Sequence, residues 1–253
     1  MVRHSNGSTV GKFALGLLAL LFVPLATHAQ TVRARQRYAK MAPITEYLMH
    51  RSAEIALARS AAPPAISRDA TVLVLGRQGW ETAVKGTNGF VCMVERGISS
   101  GIDFVEKWNP RIKGPDCLNA AAARTMLPIV FKLTDMALAG DSLRQRVAGI
   151  REAYAKRDIP PLAPGAMGYM MSKDAYLTDQ GSHNISHLMF FVPDRKAADW
   201  GAGVLHSPIS SSSYWFASDA SNPLDKTLPP LRVFVVAVPV WSDGTPANWR
   251  DHG

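Results

Sequence analysis

Apolar residues in this chain fall into short uninterrupted runs and longer stretches with helical spacing, separated by connections rich in glycine, proline and serine. Residues 233–238 are apolar at every position, the pattern of a strand covered on both faces and central in its sheet, and Pro239 marks where its pairing stops. Residues 167–171 and 188–192 read as two further buried strands, and 71–75 as a shorter one rich in β-branched side chains. Trp80, Thr82 and Val84 alternate with Glu81, Ala83 and Lys85, which predicts a half-buried strand. The Gly86-Thr87-Asn88-Gly89 segment tolerates positive φ, so this strand and residues 90–94 are expected to form a hairpin.

Helical periodicity appears three times. Ile44, Leu48, Ile55 and Ala58 share a face, with Pro43 at the start of a helix that Pro63-Pro64 ends. Asn119 stands as N-cap before an apolar run to Ala139 that Pro128 is expected to kink or split and Gly140 to stop. Asp141 then caps a helix with Leu143, Val147, Ile150 and Tyr154 on one side. Residues 97–116 read as a long ordered loop anchored by Phe104 and Trp108. Residues 194–200 suit a short helix, and 207–222 a loop or short strand around Tyr214, Trp215 and Phe216. Without a β-α-β rhythm, the order of elements predicts an α+β fold, a mostly antiparallel sheet with helices packed against it.

Composition adds the compartment. Arg3 and Lys12 precede an apolar run over 13–26, and Thr27-His28-Ala29 places small residues where a signal peptide is cut. Residues 1–29 therefore read as a cleavable signal peptide and 30–253 as a single globular domain, exported to the periplasm or secreted, with no membrane span in the mature chain. The 253 residues are 47% hydrophobic and 19% charged, as in a folded protein. Net charge is +8, or 8 − 2 = +6 once Arg3 and Lys12 are removed. That surplus is spread out, its densest part being Arg33, Arg35, Arg37 and Lys40, and no continuous basic face argues for nucleic acid as a partner. Cys92 and Cys117 are the only cysteines, and in an oxidising compartment they are expected to form a disulfide closing a ring of about 26 residues.

The candidate chemistry lies between the strands at 167–171 and 188–192. Asp174, Asp179, His183 and His187 are gathered there on a connection between rigid elements, the setting in which binding sites are commonly built. His183 and His187 are four apart, so on a helical turn two imidazoles would share a side and the two Asp could add oxygens to a divalent transition metal. No Glu stands between them as in H-E-x-x-H, and the segment looks like a turn entering a strand, so no cofactor is expected. Two short motifs have simpler explanations. Gly97-Ile98-Ser99-Ser100-Gly101 spells a nucleophile elbow without the helix that must follow the Ser. Gly140-Asp141-Ser142-Leu143 resembles the motif of one esterase family in four letters, but lies between two helices, where capping accounts for it. Met167, Met170, Met171 and Met189 fall inside apolar runs and read as core rather than copper ligands.

The expected function is an exported, non-catalytic ligand-binding or accessory domain with a small-molecule or envelope-protein partner. The first alternative is an exported hydrolase or metal-dependent enzyme using Asp179, His183 and His187. A third is an envelope interaction module presenting Tyr214, Trp215 and Phe216.

Overall fold

Most of the apolar runs become strands of one eight-stranded sheet, ordered β2-β1-β3-β4-β5-β6-β8-β7. The computed structural model describes residues 33–34, 36–179, 185–193, 197–216 and 222–247. The strands are β1 (Thr71–Gly76), β2 (Gly79–Val84), β3 (Val91–Glu95), β4 (Gly114–Leu118), β5 (Met167–Met170), β6 (His187–Val192), β7 (Ile209–Ser213) and β8 (Arg232–Ala237). All neighbours are antiparallel except β1 and β3. The helices are α1 (Arg51–Arg59), α2 (Pro64–Ser67), α3 (Ala120–Leu138) and α4 (Leu143–Ala155). The α+β class follows, with helices packed on the sheet. The signal-peptide segment 1–29 lies outside the described residues. None of the described helices is long and apolar enough to cross a membrane.

Alternation along β3 and β4 divides the core. Cys92, Val94 and Cys117 face one side, where Ala58 of α1 and Ala61, Ala62 and Ala70 cover them. Met93 and Leu118 face the other, beneath Met126, Ile129 and Leu133 of α3 and Val147 and Ile150 of α4. Trp215 and Phe216, each 1% exposed, extend that second layer over β6 and β8. They are core residues, so the contact surface expected of this aromatic segment does not form from them.

Five local expectations are corrected. The hairpin is β1–β2, with Gly76 opposite Gly79, whose φ of 120° lets the chain reverse in two residues, while β3 crosses over to lie parallel to β1. Gly86 passes so close to the start of β1 that a Cβ would sit 2.1 Å from the Thr71 nitrogen. Second, the loop predicted over 97–116 ends in β4, whose Gly-Pro start hid a strand buried at every position. Third, the first helix begins only at Arg51, after a 3-10 turn at Ile44–Glu46. Fourth, α3 runs through Pro128 as one helix, because Ile129, Val130 and Leu133 bury its apolar face and outweigh one missing backbone bond. Asn119 does cap it, accepting from the Ala122 amide, whereas α4 is capped by Ser142, not Asp141, through a capping box with Gln145.

Cys92 and Cys117 are register partners on β3 and β4 and form a disulfide, so the bond joins neighbouring strands and closes the 97–113 segment at its base. Reduction is expected to lower stability by about 3 kcal/mol, the chain-entropy value for a loop of this size, in denaturant titrations with and without reductant. Two titratable thiols in the unfolded, unreduced protein would contradict the bond.

On the Cys92 side of the sheet a charge pair is buried almost completely. Arg96 Nη2 donates to Glu54 Oε1 at 2.8 Å, with the two side chains 0% and 1% exposed. The same Glu54 oxygen accepts from the Leu75 amide at 3.0 Å. Arg96 Nε donates to the Tyr47 carbonyl and Nη1 to that of Val94. Removing one partner of such a pair leaves the other charged in a dry interior. Glu54→Leu is therefore expected to destabilise the fold by about 3–5 kcal/mol by thermal or urea unfolding. Glu152→Ala, which breaks an exposed i,i+4 pair with Lys156, should leave stability almost unchanged, because solvent screens the pair.

Candidate functional site

The sequence-predicted residues separate in the fold. Asp174 is exposed on a turn, its amide donating to Ser172 Oγ at 3.2 Å. His183 lies outside the described residues. His187 begins β6 and is 8% exposed, opposite Met170 and Ala237. Its Nδ1 contacts the Ile185 carbonyl at 2.5 Å. A carbonyl can only accept, so in the neutral ring Nδ1 carries the proton and Nε2 keeps its lone pair. Burial holds the imidazole below its usual pKa, against the opposing pull of that hydrogen bond.

Asp179 is a structural anchor. Its carboxylate accepts from Arg37 Nη1 at 2.8 Å, Tyr38 hydroxyl at 2.5 Å, Asn109 Nδ2 at 2.8 Å, Tyr176 hydroxyl at 2.8 Å and the Arg111 guanidinium. Burial works against its charge, but these donors outweigh it and hold the carboxyl well below the usual range. Its own amide donates to the buried Glu106 carboxylate at 2.9 Å. The effect is to tie the Arg37–Tyr38 segment onto the 106–111 turn. Among the described residues, no three His, Cys, Asp or Glu side chains are placed to hold a metal ion.

That anchoring forms a wall of a cleft of about 360 Å³, lined by Tyr38, Phe104, Lys107, Trp108, Leu143 and Arg146 among others. Trp108 is fixed through its carbonyl, which accepts from the Tyr47 hydroxyl at 2.9 Å. Arg146 reaches the cleft because α4 turns its 143/147/150 stripe toward the core, and residue 146 lies beside that stripe. Arg146 is 6% exposed and Lys107 3%. Both cationic heads lie over the Trp108 ring, at 5.5 and 5.7 Å from its centroid. Lys107 Nζ donates to the Ile98 carbonyl at 3.0 Å and the Ser100 carbonyl at 3.4 Å. Its pKa is drawn well down by burial and by the neighbouring Arg146, with Asp103 opposing. A second cleft of about 370 Å³ lies beside α1, but Asp243 lines it opposite Arg59.

A carboxylate pair sits elsewhere on the Met93 face of the sheet. Register places Met93 against Asp116 and Glu95 against Gly114, so Glu95 and Asp116 are diagonal neighbours on one face. Asp116 is 2% exposed, and its Oδ1 has no hydrogen-bond partner among the described residues. A Cβ on Gly168 would stand 2.7 Å from that oxygen, so the carboxylate packs closely over the glycine and would have to shift for any larger residue. Part of Glu95 reaches solvent, yet its carboxyl is enclosed, and burial pushes its pKa up to about 7. Asp116 is raised further, by burial and then by Glu95, and Tyr214 is raised by burial and by both carboxylates.

Sequence reasoning missed Arg146, Lys107, Glu95 and Asp116. A legible signal existed for two of them. Arg146 adjoins an otherwise apolar helical stripe, and Glu95 falls on the inward parity of a strand whose other inward residues, Val91 and Met93, are apolar. The G-x-S-x-G serine, Ser99, is fully buried in a 3-10 turn and bonds only to the Arg96 backbone, accepting from its amide and donating to its carbonyl. No protein-family model, curated protein or solved structure matches the chain.

The carboxylate pair makes stability depend on pH. The usual Glu value is 4.5 and the folded value about 7, so between these the native state binds more protons than the unfolded chain. Stability is full below about 4.5 and falls as pH rises through 7, by about 3 kcal/mol for Glu95, with Asp116 acting in the same sense. His187, kept neutral by burial, acts in the opposite sense. The comparison is therefore made against Glu95→Gln, whose melting temperature should fall less than that of the unaltered protein between pH 5 and pH 8. Parallel pH profiles for the two would contradict the assignment.

Proposed function

We propose that this chain is an exported, non-catalytic binding domain whose small-molecule ligand lies in the Trp108 cleft. The single observation carrying the proposal is the cleft itself, a concavity that combines apolar walls at Ile102, Phe104, Val105 and Leu143 with buried cations at Lys107 and Arg146. The N-terminal pattern of charge, apolar run and small-residue cut site supports export, and the Cys92–Cys117 disulfide is consistent with an oxidising compartment. A hydrolytic or metal-dependent role on Asp179, His183 and His187 has less support, since five donors already engage the Asp179 carboxylate. The residues first singled out keep a part in the binding proposal, because Asp179 holds Tyr38 against the cleft.

Thermal-shift screening of the mature, oxidised protein against a small-molecule library tests it. The expected outcome is a set of compounds that raise the melting temperature, lose that effect in Leu143→Trp, which fills the cleft from its half-buried rim, and are recovered chemically unchanged. Shifts that survive Leu143→Trp would move the ligand elsewhere, and consumption of the compound would replace binding with catalysis.

A further inference from the structure

The ligand class can be taken further, on the premise that the Trp108 cleft is the binding site. A guanidinium stays charged at any accessible pH, and a buried one is ordinarily matched to a carboxylate or to a full set of carbonyls. Arg96 in this same fold is so matched, by Glu54 and by the Tyr47 and Val94 carbonyls. Arg146 is not. It is 6% exposed and forms no ion pair among the described residues, and its Nε and Nη1 have no hydrogen-bond partner there. Asp103 and Asp141 act on it as neighbouring charges, and the Trp108 ring takes one face.

A second buried cation, Lys107, stands over the same indole and is destabilised by Arg146. Among the described lining residues, two basic side chains stand against a single carboxylate, Asp103, which leaves that part of the cleft with a positive balance. Ile102, Phe104, Val105 and Leu143 add apolar walls to the same cleft, with Tyr38 and Asn222 as further polar lining. Inorganic phosphate or sulfate would satisfy the cations but make no use of those walls. A ligand with an oxyanion at one end and a short hydrocarbon body uses both.

We propose that the cleft binds a small organic anion, its carboxylate or equivalent oxyanion received by Arg146 with Lys107 beside it, and its apolar body laid against Phe104, Val105 and Leu143. The anion neutralises a charge that the fold has already desolvated, so each new bond is charge-assisted and forms in a dry setting. It also favours the protonated form of Lys107, whose pKa is lowered by burial and by Arg146, so affinity should decline as pH rises.

Isothermal titration of the oxidised mature protein with hexanoate, hexanamide and inorganic phosphate tests the proposal. Hexanoate and hexanamide have the same hydrocarbon body and differ in charge. Hexanoate is expected to bind at least about 30-fold tighter than hexanamide, and tighter than phosphate. Arg146→Met replaces the guanidinium with an uncharged side chain that can fill the same channel, and should abolish the difference between the two compounds. Equal affinity for hexanoate and hexanamide in the unaltered protein would overturn the anionic class while leaving the cleft as the site. Phosphate binding as tightly as hexanoate would overturn the organic class in favour of a plain oxyanion. Hexanoate binding that keeps its advantage over hexanamide in Arg146→Met would remove Arg146 from the role. The hexanoate–hexanamide comparison needs no variant, so it decides the point even if Arg146→Met does not fold.

Discussion

The buried Arg96–Glu54 pair is the interaction on which the arrangement depends. One guanidinium reaches α1 through Glu54, its own strand through the Val94 carbonyl, and the segment before α1 through the Tyr47 carbonyl. Glu54 meanwhile takes the Leu75 amide of β1. The Tyr47 hydroxyl then bonds the Trp108 carbonyl, so the chain of contacts passes from the core to the cleft. Apolar residues could fill the same volume, but they would not set the direction of four segments at once. The fixed geometry of the guanidinium fork supplies that constraint, at the desolvation cost that buried ions carry.

Buried charge in this molecule is handled in contrasting ways, and the contrast marks the site. Arg96 is fully matched. Asp179 is saturated by donors from three parts of the chain and serves as a fastening. Arg146 and Asp116 are each left with buried polar atoms unpartnered. A fold that satisfies two of its interior charges so thoroughly shows that partners can be built, so the unsatisfied ones are informative, and they coincide with shifted pKa values at Lys107, Glu95 and Tyr214. Arg59 and Arg232 also leave one buried nitrogen each unpartnered, but both donate through another nitrogen, and Arg59 shares its cleft with Asp243. Arg146 leaves two unpartnered and lines a cleft large enough for a ligand.

Much of the architecture was legible in the sequence, because strand burial and helix capping are local. The runs that became β5, β6 and β8 are apolar enough to identify themselves, and Asn119 and Gly140 mark the ends of α3 as expected, Gly140 with φ 77°. The disulfide was readable from the count of cysteines. What could not be read was pairing. β4 opens on Gly-Pro and resembles a loop, yet it lies between β3 and β5 and is buried throughout. Likewise the Gly86–Gly89 segment carries turn chemistry but serves a crossover, because β1 and not β2 is the neighbour of β3. The site was hidden for the same reason. Lys107 and Trp108 lie on one segment and Arg146 on another, and they meet only in the fold, whereas Asp174, Asp179 and His187, which cluster in sequence, have different surroundings.

The central claim is that the Arg146 guanidinium is a buried charge awaiting an anion, and arginine Nε–H resonances observe that group directly. In a ¹⁵N–¹H spectrum of the mature protein, the signal assigned by its loss in Arg146→Met should shift on addition of hexanoate and stay in place on addition of hexanamide, while the Arg96 signal, already bonded to the Tyr47 carbonyl, remains fixed in both. An Arg146 signal unmoved by hexanoate, or moved equally by the two compounds, would contradict the account.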